Sequence, residues 1–382
     1  MRIAVKIAYV SMIVVLSGCS SLNPFASKIE SKNQPAALVN FEQTFSIRPA
    51  WSVSIGNAGA FSFSPAVIGN DVFVAATDGS IARLDATSGN LIWRIKAGIS
   101  LTTGVSSDGK IVVVAGEKGA ILAFDTNGKI RWKAQTSSEV LSVPVIGQGL
   151  VIIRSHDNRI IALDAETGLR RWVAQRVAPS LTLRTAPGMA IAGSNVFVGL
   201  PGGRLVALAL SNGGARWDVA VGDPRGTTEL ERIADLSGAP VIAGEDVCAV
   251  AYQGKVACFN MTTGSAHWAR PLSSDVGIGI DERLIFAADE RGAVTAFTRD
   301  AGLNVWRNDK LANRRLSTPT SFGRAVVIGD SQGYVHFLSR ENGAFLGRIG
   351  TDGSAILSAP IVAGMNLIFQ TQSGAVVALT AE

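Results

Sequence analysis

The sequence predicts an all-β protein: an eight-bladed β-propeller of four-stranded antiparallel blades, its ring closed by an N-terminal strand that joins the last blade. Three observations lead there. Short apolar runs cut by glycine recur roughly every 40 residues, without a long amphipathic helical pattern. All seven tryptophans fall at one position of that repeat, and six follow a turn glycine by four residues: Gly89 with Trp93, Gly128 with Trp132, Gly168 with Trp172, Gly213 with Trp217, Gly264 with Trp268 and Gly302 with Trp306. The seventh, Trp51, stands before the first full copy, while the last copy stops after its third strand, Ala375 to Leu379. A residue this large, used only there, is expected to dock one blade on the next.

The chain divides into residues 1–18, 19–45 and 46–382. Arg2 and Lys6 precede an apolar run from Ile7 to Leu16 that is too short to span a bilayer. It ends in Leu16-Ser17-Gly18-Cys19, which resembles a bacterial lipobox and implies a signal peptide over 1–18 and acylation of Cys19. Ser20 in place of Asp implies the outer membrane, on its periplasmic face. Residues 19–45, rich in Ser, Asn, Lys and Pro, are expected to be a flexible tether. Membrane contact is then through the lipid anchor only. Removal of 1–18 lowers the formal charge from +5 to +3, and without a Lys/Arg block nucleic acid is not an expected partner.

Within 46–382 the copies begin near Ser64, Gly104, Val143, Ala186, Ala239, Val276, Thr318 and Ala359. In the first, Pro65-Ala-Val-Ile is a short strand and Asp71 to Ala76 a second, turned by Asp78-Gly79 into Ser80 to Asp85. A second turn, Thr87 to Asn90, leads to the fourth strand at Leu91 to Arg94. Blade seven has Gly347 where the others have Trp. Cys248 and Cys258 lie on strands joined at Gln253-Gly254. A two-residue turn places the thiols on opposite faces; a longer one places them opposite each other, so buried thiols and a disulfide both stay open, the former favoured.

Phrases such as Ala162-Leu-Asp-Ala-Glu-Thr-Gly168 with Trp172 resemble the repeats of pyrroloquinoline-quinone-type propellers. That resemblance raises the alternative of a periplasmic quinoprotein dehydrogenase with calcium and quinone at the ring centre. The residues argue against it. Connections are short, Asp85, Asp125 and Asp164 occupy recurring turn slots, and no adjacent Cys pair is present. His156, His267 and His336 share no ligand spacing and are expected to be ordinary surface or packing residues. No cofactor, metal or catalytic residue is expected.

Two connectors between blades are longer than the rest. Trp172 to Pro187 spans 15 residues and Trp217 to Pro240 spans 23. Both join an outer strand to the next inner strand and flank blade four, so they should form one continuous rim. The first carries Leu181-Thr-Leu183-Arg184, the second Glu229-Leu230-Glu-Arg232-Ile233 and Asp235. Apolar residues framed by charges on a rim suit a protein partner. Together with the lipobox and the blades, they resemble the lipoprotein B family of the outer-membrane β-barrel assembly machinery. The match lies at Leu181, Leu183 and Arg184 and at Gly226 to Arg232 with Asp235, while Ser237 replaces a second usual acid. The resemblance implies a non-catalytic scaffold that binds the POTRA domains of the barrel-forming subunit and aids insertion of barrel proteins. Strand edges could also receive unfolded barrel clients by β-augmentation, an idea to which the sequence lends little support.

Overall fold

The computed structural model describes residues 34–177, 179, 181–183, 187–222 and 224–381. Its strands form eight four-stranded antiparallel sheets. Blade one is built from Ala66–Ile68, Asp71–Ala75, Ser80–Asp85 and Leu91–Lys96 in that spatial order, and six further blades repeat the meander. The first strands of successive blades neighbour one another around the axis. The second and third strands are buried almost throughout, since both faces meet another blade. Their near-continuous Val/Ile/Ala composition follows from that double burial. Blade eight consists of Ile361–Ala363, Asn366–Gln370, Ala375–Ala381 and the N-terminal strand Ile47–Ser54. The predicted closure is therefore present.

Each tryptophan reaches across to the following blade. The Trp132 Nε1–H donates to the Ala165 carbonyl at 2.9 Å, and its ring covers Gly168, where an added Cβ would lie 2.6 Å from the indole. Gly168 also has φ +71°, so this turn glycine serves both a left-handed backbone and the neighbour's ring. Trp51, in the closing strand, treats Ala86 and Gly89 the same way. A β-bulge next to each tryptophan, as between Ala162 and Leu163 beside Trp172, keeps the indole in that register. Ala50 occupies the equivalent bulge beside Trp51.

Blade seven lacks its tryptophan for a reason visible in the closure. The tryptophan of any blade docks on the turn between the third and fourth strands of the next. In blade eight those strands are the two ends of the chain, and no turn joins them. An indole at 347 would find neither a turn carbonyl nor a turn glycine. Instead Phe45 and Ile47 fill the slot: a Cβ on Gly347 would lie 2.4 Å from Ile47 Cδ1, and Phe45 packs on Phe337 at 5.7 Å between ring centroids.

This filling corrects the boundary expected at residue 46. Residues 35–45, assigned from composition to the tether, belong to the propeller body. Ala36 N–H donates to the Ala312 carbonyl at 2.8 Å, Phe41 stacks on Phe345 at 5.2 Å, and Thr44 N–H donates to Leu346 at 2.9 Å. The segment is a strap along blade seven. Polar composition concealed it because its fixation relies on backbone carbonyls and two phenylalanines.

The cysteines are corrected likewise. Cys248 pairs directly with Cys258 across the hairpin, and the two form a disulfide with Cα atoms 4.1 Å apart. The turn is longer than two residues, with Gln253 at φ +47°, so the thiols share a face. Cys248→Ala/Cys258→Ala is expected to lower stability by about 2–3 kcal/mol, with dithiothreitol lowering the wild-type melting temperature in parallel. Identical melting curves with and without reductant would contradict this.

Candidate functional site

Because each blade is an antiparallel meander, connectors from one blade to the next emerge on the same face as the hairpins between second and third strands. Both long connectors lie on that face, on either side of blade four. Asp235 ties them together. One of its oxygens accepts the Leu183 N–H at 2.6 Å and the other the Gly202 N–H, in the blade-four hairpin, at 2.9 Å. Its own carbonyl accepts the Tyr252 N–H of the blade-five hairpin at 2.8 Å. Asp235 is 1% exposed, and burial raises its pKa despite the two backbone bonds and nearby Arg154.

The role expected for Asp235 is thereby corrected. It is buried beneath the surface and positions the first loop against the second. Ser237, where a second acid was expected, is also buried, its hydroxyl donating to the Ser274 carbonyl at 2.6 Å. A polar residue here serves the interior of the rim.

The second loop forms one turn stabilised by a capping box. Glu231 Oε2 accepts the backbone N–H groups of Thr227 and Thr228, and Glu231 N–H donates to Thr228 Oγ1. Those bonds, that of Thr228 first, hold the Glu231 carboxyl below its usual pKa. The turn is two-faced. Ile233 is buried, while Leu230 is 70% exposed. Glu229 and Arg232 flank it as an exposed pair 3.8 Å apart, with Arg232 Nε also donating to the Gly226 carbonyl. On the first loop Leu181 is 47% exposed and Leu183 half-buried. The structure thus joins the loop of Leu181 and Leu183 to the loop of Glu229, Leu230 and Arg232 through Asp235. Arg184 and Cys19 lie outside the described residues.

Two buried titratable groups escaped the sequence reading. Arg154, at the rim end of the second strand of blade three, is 5% exposed, and burial depresses its pKa to about 10, partly offset by Asp235. His336, expected to be an ordinary histidine, is fully buried in blade seven within a polar network. Arg314 Nε donates to Asp330 Oδ2 at 2.6 Å and Arg348 Nε donates to His336 Nδ1 at 3.2 Å. Arginine is only a donor, so Nδ1 accepts and the imidazole proton sits on Nε2, which donates to Asp330 Oδ2 at 2.9 Å. The arginines also hold the strap, through the carbonyls of Ala36 and Val39. A histidine at an ordinary strand position gave no signal of this, because its partners come from the connector, the hairpin and the outer strand.

A family profile described as outer membrane protein assembly factor BamB matches residues 77–308. The protein of that name from Bordetella pertussis is 42% identical over 370 residues, which covers 97% of this chain and 95% of the relative. The crystal structure of BamB from Moraxella catarrhalis superposes with a TM-score of 0.81 at 26% identity, covering 88% of this chain and 100% of that one. A quinohemoprotein alcohol dehydrogenase from Comamonas testosteroni superposes at 0.68 with 14% identity, over 87% of this chain and 76% of the enzyme. That last likeness is one of fold alone.

Proposed function

The chain belongs to the BamB family of outer membrane protein assembly factors, and from that premise we propose that it is a scaffold whose rim binds the POTRA domains of the barrel-forming subunit. The observation that carries this reading is the pair of loops locked by Asp235, which leaves Leu181 and Leu230 exposed on one face while burying Ile233. Exposed leucines framed by Glu229 and Arg232 have the make-up of a docking surface, with an apolar anchor and a charged rim. Arg184 would pair with an acid of the partner. Acylated Cys19 would hold the chain at the periplasmic face of the outer membrane. The strap supports a common orientation, since Ala36 meets the connector into blade seven on the face that carries the loops.

The test is capture of the detergent-solubilised barrel-forming subunit by full-length Leu181→Ser/Leu183→Ser protein, with circular dichroism as a check of fold. Binding should fall by at least about 30-fold, as for loss of two interface anchors. Asp235→Ala should weaken binding without removing any contact, since the Leu183 and Gly202 N–H groups lose their acceptor and the loops lose their register. Undiminished capture by the double-serine protein would sink the rim reading.

A further inference from the structure

Arg154 sits where a charged side chain is costly, with Asp235 as its nearby acid. It follows Ile152 by two residues on one strand, so both face blade four, and Ile152 packs there against Val196, Val198 and Leu200. Arg154 thus closes the rim end of the interface between blades three and four, below the first docking loop. Its Nε and Nη1 have no hydrogen-bond partner among the described residues. The nearby acid, Asp235, has one oxygen engaged by Leu183 N–H and the other by Gly202 N–H. The same end of blade three carries two more buried atoms without partners among the described residues, Asn158 Oδ1 and Arg176 Nε. Arg176 N–H donates to the Asn158 carbonyl, and Arg176 begins the connector that carries Leu181 and Leu183.

Buried guanidinium donors are normally paired, because desolvation of an uncompensated charge opposes folding. Planar donors with free N–H groups select a carboxylate, which accepts two of them at once. We propose that the rim end of blade three is a receptor for a carboxylate side chain carried by the protein partner, with Arg154 as its main donor and Arg176 beside it. The proposal rests on the rim being the docking surface. The acid enters beneath the loop as Leu181 and Leu183 engage, and it accepts the N–H groups that Asp235, already engaged by two backbone donors, does not. Arg154 is then a specificity residue held in a destabilising state until the partner arrives.

That state makes the test two-sided. In full-length Arg154→Met protein, affinity for the detergent-solubilised barrel-forming subunit should fall about tenfold or more. The melting temperature of the free protein should hold or rise, because a buried, incompletely hydrogen-bonded charge has been replaced by an apolar side chain of similar length. Arg154→Lys, which keeps the charge but loses the fork, should bind with intermediate affinity. Unchanged affinity in Arg154→Met overturns the proposal. So does a fall in both affinity and melting temperature, including failure to fold, which assigns the arginine a structural role. Undiminished binding by Leu181→Ser/Leu183→Ser would instead remove the docking surface on which the proposal rests, whatever Arg154 does.

Discussion

Asp330→Ala is expected to destabilise the propeller by about 3–5 kcal/mol, the cost of breaking a buried ion pair from one side. Asp330 is fully buried and satisfies four donors: Arg314 Nε, His336 Nε2 and the backbone N–H groups of Gln332 and Tyr334 in its own hairpin. Its loss leaves the Arg314 guanidinium, 2% exposed, without a counter-charge. The effect should spread to the strap, because Arg314 and Arg348 hold the carbonyls of Ala36 and Val39. Melting temperature and the rate of proteolysis within residues 35–45 are the readouts. A variant that melts like wild type and keeps its strap protected would refute the account.

The same network fixes a pH dependence. Burial lowers the pKa of His336 below 6.5, and the nearby Arg348 and Arg314 act in the same direction against the opposing pull of Asp330. The unfolded chain therefore takes up a proton below about pH 6.5 that the folded chain refuses. Stability from this group is complete above that value and declines as pH falls. Burial raises Asp330, but its bonds from His336, Tyr334 and Arg314 outweigh this and hold it below 3.8, so a second decline follows in stronger acid. Denaturant midpoints measured across pH should show the first decline in wild type and a flatter profile in His336→Gln.

Trp132→Ala should cost a similar amount, about 3–5 kcal/mol, because a buried aromatic is removed from a junction between two blades. The indole packs among blade-two and blade-three residues including Val113, Ile153 and Ile161, and it satisfies the Ala165 carbonyl. Its coupling to Gly168 gives a sharper measurement. In the wild-type background Gly168→Ala places a Cβ 2.6 Å from the ring and strains a residue at φ +71°. In the Trp132→Ala background only the backbone strain remains, about 1 kcal/mol. The cycle should therefore be strongly non-additive. Additive losses would show that the glycine is there for the turn alone.

Much of this architecture was legible from the repeat. The spacing of Gly and Trp gave the blade, the truncated last copy gave the closure, and the two stretched intervals around Trp217 located the rim loops. Legibility failed where partners lie far apart in sequence. Asp235 looked like a contact residue because it follows Arg232 on a charged loop, yet its donors come from residues 183 and 202. The strap looked like tether because its anchors, Arg314 and Arg348, lie some 280 and 310 positions away.

What the sequence determined by itself is whatever repeats locally: strand length, turn glycines, the indole at each junction and the count of eight blades. Alternation and turn chemistry act over a few residues, so one copy suffices to specify them. Only the tertiary structure decided what depends on the ring being closed. It placed Phe45 and Ile47 in the slot left by Gly347, because blade eight has no turn for an indole to meet. It brought Cys248 into register with Cys258 and buried Asp235 between two loops, with Arg154 beneath them. Those outcomes follow from which surfaces meet once the ends join, and no single repeat carries that information.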